Sequence, residues 1–317
     1  MSAKKTGPAK KLIMIPYAEL EGYRTGANVQ NVKNRVEMYM KNCSVACISA
    51  RTVSPIDTDV MLVSNVDIPE PYKGLLTESG VLIRRVPFDR FDFGSTYTWS
   101  LAFYKLCALY SMVRESTYEY YSYFDADVYF QHNLDNVWSE CDDNVMLYDI
   151  NHGLQVADYC SFLEEIDMFL GYRKQITHYG GEFFAASCER AIEFSEKCLQ
   201  IYNEMREKNI YTTKGDEYII SLAADAMKPS VKNAGAYVYR FWSGTGFRLI
   251  STCYKANAVS VLHVPAEKTC GIIKIYDRYI KKGRIPSAKA TYRMLHLKYA
   301  PIISGLVYAA KRCLTRG

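Results

Sequence analysis

"YYSYFDADVYF", residues 120–130, joins an aromatic-rich run to two carboxylates, Asp125 and Asp127, one residue apart. Tyr and Phe suit a pleated, half-buried surface and Asp does not, so the run reads as a strand that ends where the acids begin. Adjacent like charges repel. In an open parallel sheet ligands bind beyond the carboxyl ends of the strands, and a divalent cation shared by both acids offsets their repulsion and can hold a diphosphate.

The sequence on either side supplies the sheet. Trp99, Phe103, Leu106, Tyr110 and Val113 share one face of a helix leading into this strand. Residues 12–15 form a continuous apolar run of the kind a buried parallel strand shows. Val29, Val32, Val36 and Met40 recur at helical spacing, and residues 45–50, 60–63 and 81–83 read as further short strands. Ala191, Phe194, Cys198, Ile201 and Met205 mark an amphipathic helix, and residues 216–227 another. This alternation predicts an α/β fold, a doubly wound, mostly parallel sheet flanked by helices, without internal repeats.

A D-x-D arises by chance about once in a chain of this length, so its position carries more than its spacing. Asp57-Thr58-Asp59 has the same spacing but precedes a strand, at the opposite end of the sheet.

With 317 residues, 49% of them apolar, the chain can bury a sizeable core. No apolar run reaches the roughly 18 residues of a spanning helix, and "MSAKKTGPAKK" lacks the apolar stretch of a signal peptide, so a cytoplasmic protein is expected. The ten cysteines include no C-x-x-C pair, which points to reduced thiols rather than to a zinc site or a disulfide scaffold. The net charge of +5 divides into +4 over residues 1–11, −10 over 12–267 and +11 over 268–317. An acidic body with a basic tail is unlike a nucleic-acid binder, and the tail suggests docking on an anionic surface.

"FYKLCALY" (103–110) followed by "YFDADVYFQHNLDNVW" (123–138) resembles the lysine-bearing helix and D-x-D strand of the glycogenin-like glycosyltransferases, family 8, on the GT-A fold. "HYGGEFFAAS" (178–187) resembles that family's acceptor-side turn and following strand. "KGDEYIISLAAD" (214–225) is similar to its Asp-Gln helix start, and "VSVLHVPAEK" (259–268) to its late strand ending in His. The likeness spans roughly residues 12–270. It implies three units: a flexible basic N-terminus (1–11), a Rossmann-like GT-A catalytic domain (12–270) and a basic helical C-terminal extension (271–317).

The resemblance also assigns roles. Asp125, Asp127 and His263 would hold Mn²⁺, or Mg²⁺ in its place, and a mixed oxygen and nitrogen set suits Mn²⁺. Asp125 would also reach the donor's ribose, Lys105 and Lys268 its phosphates, and Tyr17 its base. The implied reaction transfers a sugar from a nucleotide-sugar donor, UDP-linked, to a glycan or glycolipid acceptor with retention, the leaving phosphate assisting deprotonation of the acceptor. Asp216, Glu217 or Glu182 would face the positive sugar. The chain departs from the family pattern at Glu217, where Gln is usual, at Gly180-Gly181-Glu182, and in the spacing from His263 to Lys268. Trp242, in "YRFWSGTGFR", is a candidate acceptor contact within a Gly-containing loop.

After Pro301, Ile302, Ile303, Leu306, Val307 and Ala310 share a face near Lys311, Arg312 and Arg316, giving either a brace on the catalytic domain or a peripheral membrane anchor. Two other readings stand beside the transferase. A sugar-phosphate nucleotidyltransferase should carry a Gly-rich loop where Pro16-Tyr17-Ala18-Glu19 follows the first strand. A noncatalytic glycan- or nucleotide-binding module would have little reason to keep both carboxylates and the late His.

Overall fold

The computed structural model describes residues 10–23, 34–97, 99–152, 157–241 and 256–297. Its first half consists of β1 (Lys11–Tyr17), α1 (Arg35–Val53), β2 (Thr58–Ser64), α2 (Tyr72–Glu78), β3 (Leu82–Arg85), α3 (Tyr104–Glu115) and β4 (Tyr120–Phe124). There follow β5 (Val128–Phe130), α4 (Asp135–Trp138), β6 (Val145–Asp149), α5 (Ala157–Leu170), β7 (Tyr179–Ser187), α6 (Cys188–Glu207), α7 (Asp216–Ala226), β8 (Val231–Asn233), β9 (Val238–Arg240) and β10 (Val261–His263). The C-terminal helices are α8 (Gly271–Lys282) and α9 (Ala288–Met294).

Seven strands form one sheet in the order β3-β2-β1-β4-β7-β6-β8. Only β7 runs against the others, pairing antiparallel with both β4 and β6. The fold is therefore α/β with a mostly parallel sheet flanked by helices. Chain order reverses between β1 and β4, and their carboxyl ends open a crevice at that switch point. A second, three-stranded sheet, β5-β10-β9, lies just beyond β4 and aligns His263 with Val128.

Period-2 alternation distributes the core over both faces of the large sheet. Leu12 and Met14 join Met61, Val63 and the residues of α3, α6 and α7 in one cluster. Ile13 and Ile15 join Val60, Leu62 and α1 in the other. A third cluster packs the small sheet against Ile272, Ile275, Tyr292 and Leu295, so the extension braces the body as far as Leu297. Residues 298–317, with the rest of the basic tail, lie outside the described residues, as do 1–9 and Trp242.

Two local expectations are corrected. Residues 45–50, read as a strand, belong to α1, whose residues from Asn42 to Ala50 are all buried. α1 packs on the strands, on β5 and on α2 and α8, and a helix buried all round has no polar face to reveal its period. Gly180 and Gly181, expected in a turn, lie inside β7. Of the residues at helical spacing, Val29 and Val32 lie outside the described residues, whereas Val36 and Met40 fall in α1. β3 spans Leu82–Arg85, and a short 3-10 turn, Ser100–Phe103, precedes α3.

Candidate functional site

The acids follow directly from the end of β4. The Asp125 N–H donates to the Glu182 carbonyl (3.0 Å) and the Val264 N–H to the Asp127 carbonyl (3.0 Å), which ties the D-x-D to β7 and to the segment after β10. Asp57-Thr58-Asp59 is at the other end of the sheet, with Lys11 on Asp57 and Tyr118 on Asp59.

His263, the last residue of β10, brings its Nε2 to 3.2 Å from Asp127 Oδ2 and 3.8 Å from Asp125 Oδ2. One ligand atom from each of Asp125, Asp127 and His263 lies within 4.8 Å of the others, so this group could hold a metal ion. On the far side of the ring, His263 Nδ1 is 3.3 Å from Glu182 Oε1. A carboxylate on the second nitrogen fixes the tautomer and leaves Nε2 for a metal. Glu182 is itself gripped by Arg240, whose Nε and Nη2 each donate at 2.7 Å to one of its oxygens. Arg240 also reaches Glu217 (3.1 Å), which a stacked His178 meets from the other side (3.1 Å).

Lys105 is buried between β4, β7 and α7. Its ammonium donates to Asp125 Oδ1 (2.6 Å) and to the Gly181 carbonyl (2.9 Å), and lies 3.1 Å from Asp216 Oδ2. Two acceptors take two of its donors and the Asp216 carboxylate adds an ion pair, so Lys105 positions the two acids rather than offering a free ammonium to a phosphate. Among the described residues Lys268 makes one ion pair, to Asp127 Oδ2 (3.3 Å), and its side chain lines the cleft.

Glycines allow this crowding. A Cβ on Gly180 would collide with the Glu182 carboxylate and one on Gly181 with that of Asp216. In a strand interior, Gly marks such close approach. Gly215, at φ 64°, takes a backbone turn that other residues rarely adopt and starts α7 so that Asp216 and Glu217 reach the cleft.

Burial raises the Asp127 carboxyl, but Lys268 and then His263 outweigh it and hold it well below the usual carboxylate range. Burial likewise opposes the Glu182 charge, and Arg240 and His263 prevail. At Asp216 burial wins over Lys105, with help from Asp125 and Glu217, and the carboxyl is pushed up to about 6. Burial would lower His263, yet Asp127 and Glu182 lift it to about 9.

A cleft of about 340 Å³ lies above these groups, lined by Tyr17, Tyr39, Trp99, Lys105, Asp216 and Lys268 among others. Tyr17 is the last residue of β1; its hydroxyl donates to Glu19 (3.0 Å) and its ring rests on Tyr39. Among the described residues the five carboxylates of Asp125, Asp127, Glu182, Asp216 and Glu217 outnumber the cations Lys105, Lys268 and Arg240 that pair with them, and the His263 proton takes up part of that negative charge. A divalent cation on Nε2 displaces that proton and balances the carboxylates in its place, so the donor set fits a metal of that charge.

Nine of the sequence-derived candidates thus converge on one crevice, and the tenth, Trp242, lies outside the described residues. Sequence reasoning missed Arg240 and His178. An arginine within the apolar run "YVYRF" is a usable signal, because a buried guanidinium requires carboxylate partners. Neither models of protein families nor characterised proteins match this chain.

Proposed function

We propose that the chain is a metal-dependent glycosyltransferase of GT-A type, moving a sugar from a UDP-linked donor to a glycan or glycolipid acceptor. The observation that carries this reading is the convergence of Asp125, Asp127 and His263 on one cleft at the switch point of the sheet, with Lys268 beside them. A bound divalent cation, Mn²⁺ or Mg²⁺, would supply Lewis-acid stabilisation of the charge left on the departing diphosphate.

The chain's own residues prepare that charge separation. Lys268 neutralises phosphate oxygens from a fixed turn, since Asn42 Nδ2 holds its carbonyl (2.9 Å). Lys105 fixes Asp125 and Asp216 in mutual register. Glu217, held from both sides by Arg240 and His178, presents negative charge where the sugar develops positive character. Glu182 is fully buried and engaged with Arg240 and His263, so its role is to orient the histidine rather than to contact the sugar. The departing phosphate accepts the acceptor hydroxyl's proton, and no protein nucleophile is required.

Hydrolysis of nucleotide sugars in the presence of Mn²⁺ tests the reading, because donor hydrolysis needs no acceptor. UDP-sugar turnover and metal-dependent UDP binding are expected. Asp127→Ala should abolish the metal-dependent turnover while leaving the folded state intact. Failure to turn over any nucleotide sugar, with UDP binding indifferent to metal, would refute the transferase reading.

A further inference from the structure

Away from the cleft, a second group of metal-ligating side chains occurs where the C-terminal helices meet the body. One ligand atom from each of Glu267, Cys270 and His296 lies within 4.8 Å of the others. The three come from separate local structures: Glu267 ends a 3-10 turn, Cys270 immediately precedes α8, and His296 follows α9. His296 Nδ1 approaches both oxygens of the buried Glu267, at 2.9 and 3.0 Å. Cys270 is partly accessible and forms no disulfide. Convergence depends on Gly271, where a Cβ would come within 2.6 Å of Glu267 Oε2 and 2.7 Å of the Met294 carbonyl.

We propose that Glu267, Cys270 and His296 form a second cation site, selective for a thiolate-binding divalent metal of the Zn²⁺ type, which fastens α8 and α9 to the turn carrying Lys268. The donor chemistry separates the two sites. Asp125, Asp127 and His263 offer mainly hard oxygens, whereas a sulfur, a nitrogen and an oxygen together favour a softer ion. Zn²⁺ takes nitrogen or oxygen ligands at about 2.0–2.2 Å and sulfur at about 2.3 Å, so bound ligand atoms stand about 3–4 Å apart. The Glu267–His296 pair is already at that separation, and Cys270 Sγ lies within 4.8 Å of both ligand atoms. The ion replaces the thiol proton of Cys270, which is released to solvent, and binds Nδ1 of the neutral His296 imidazole with the ring proton on Nε2. Three protein ligands leave a fourth position for water.

The location gives the site a purpose. Glu267 and Cys270 bracket Lys268, the residue that pairs with Asp127, so a bound ion stiffens the turn bordering the cleft. This proposal stands whether or not the chain transfers sugars.

Co²⁺ provides the probe, since a thiolate ligand gives it a near-ultraviolet charge-transfer band. The full chain, freed of metal and kept under a non-thiol reductant, is expected to develop that band with about one equivalent of Co²⁺ and to lose it to Zn²⁺. Cys270→Ser should abolish the band, His296→Gln should weaken Co²⁺ binding at least tenfold, and Asp127→Ala should retain it. A wild-type chain without the band, or a band unchanged in Cys270→Ser, overturns the proposal. If Cys270→Ser fails to fold, the Zn²⁺-dependent rise in melting temperature decides: it should be larger in wild type than in His296→Gln, which retains only the Asp125, Asp127 and His263 group, and an equal rise in both is the refuting result.

Discussion

At the scale of single residues, the site is a chain of second contacts more than a set of exposed groups. Arg240 holds Glu182, Glu182 holds His263, and His263 faces the two aspartates. Removing one member of a buried pair leaves the other charge uncompensated, at about 3–5 kcal/mol, whereas removing both is far milder. Arg240→Met should therefore lower the unfolding free energy by about that amount in urea titration, and adding Glu182→Gln should restore most of it. If the double variant is no better than the single one, the pair is not the source of the loss. Gly181 is the second sensitive point, because a methyl there strikes Asp216 and crowds Lys105 Nζ, 3.1 Å away. Gly181→Ala should cost about 1–3 kcal/mol and reduce donor turnover at least tenfold, measured as kcat/KM. Unchanged kcat/KM would mean that Asp216 does not need its present position.

At the scale of elements, α1 connects the two sheets. Ser49 on α1 accepts from the backbone N–H of Phe130 in β5 (3.1 Å) and donates to the Ala46 carbonyl (3.1 Å), both in the interior. β5 continues from Asp127, so this bond helps to seat one end of the D-x-D. Ser49→Ala leaves a buried N–H without its side-chain partner, and a loss of about 1–3 kcal/mol is expected by chemical denaturation. A shift below about 0.5 kcal/mol would show that β5 is held by its pairing with β10 alone. α7 has a different task. Its first turn carries Asp216 and Glu217, where the helix dipole favours carboxylates, and Gly215 sets the angle at which they enter the cleft.

At the scale of the whole molecule, the site couples folding to pH. His263 rises from an ordinary 6.5 to about 9 in the folded, metal-free protein, so the native state binds a proton that the unfolded chain releases. The stabilisation is fully present below pH 6.5 and disappears as pH climbs through about 9. The midpoint of urea unfolding without metal should fall between pH 7 and 9, and His263→Asn should flatten that slope. An equal slope in both proteins would assign the effect to other groups. The same linkage raises stability when a cation binds the folded chain alone, by an amount that grows with the logarithm of its concentration. Among the described residues no helix is long and apolar enough to cross a membrane.

What the sequence determined was everything set by local pattern. The run before Pro16, the strand ending at Phe124 and the acids that follow it were legible because burial of a strand and the break at Asp leave marks within a few residues. The opposite placement of Asp57-Thr58-Asp59 was legible for the same reason. α1 was legible only at its start, where Val36 and Met40 recur, since burial on every side from Asn42 to Ala50 erases the period that separates a helix from a strand. Nor could spacing show that Glu182 is enclosed by Arg240 and His263, or that Lys105 sits between Asp125 and Asp216. Those roles depend on contacts between residues 20 to 111 positions apart, and only chain closure decides which charge a buried carboxylate meets.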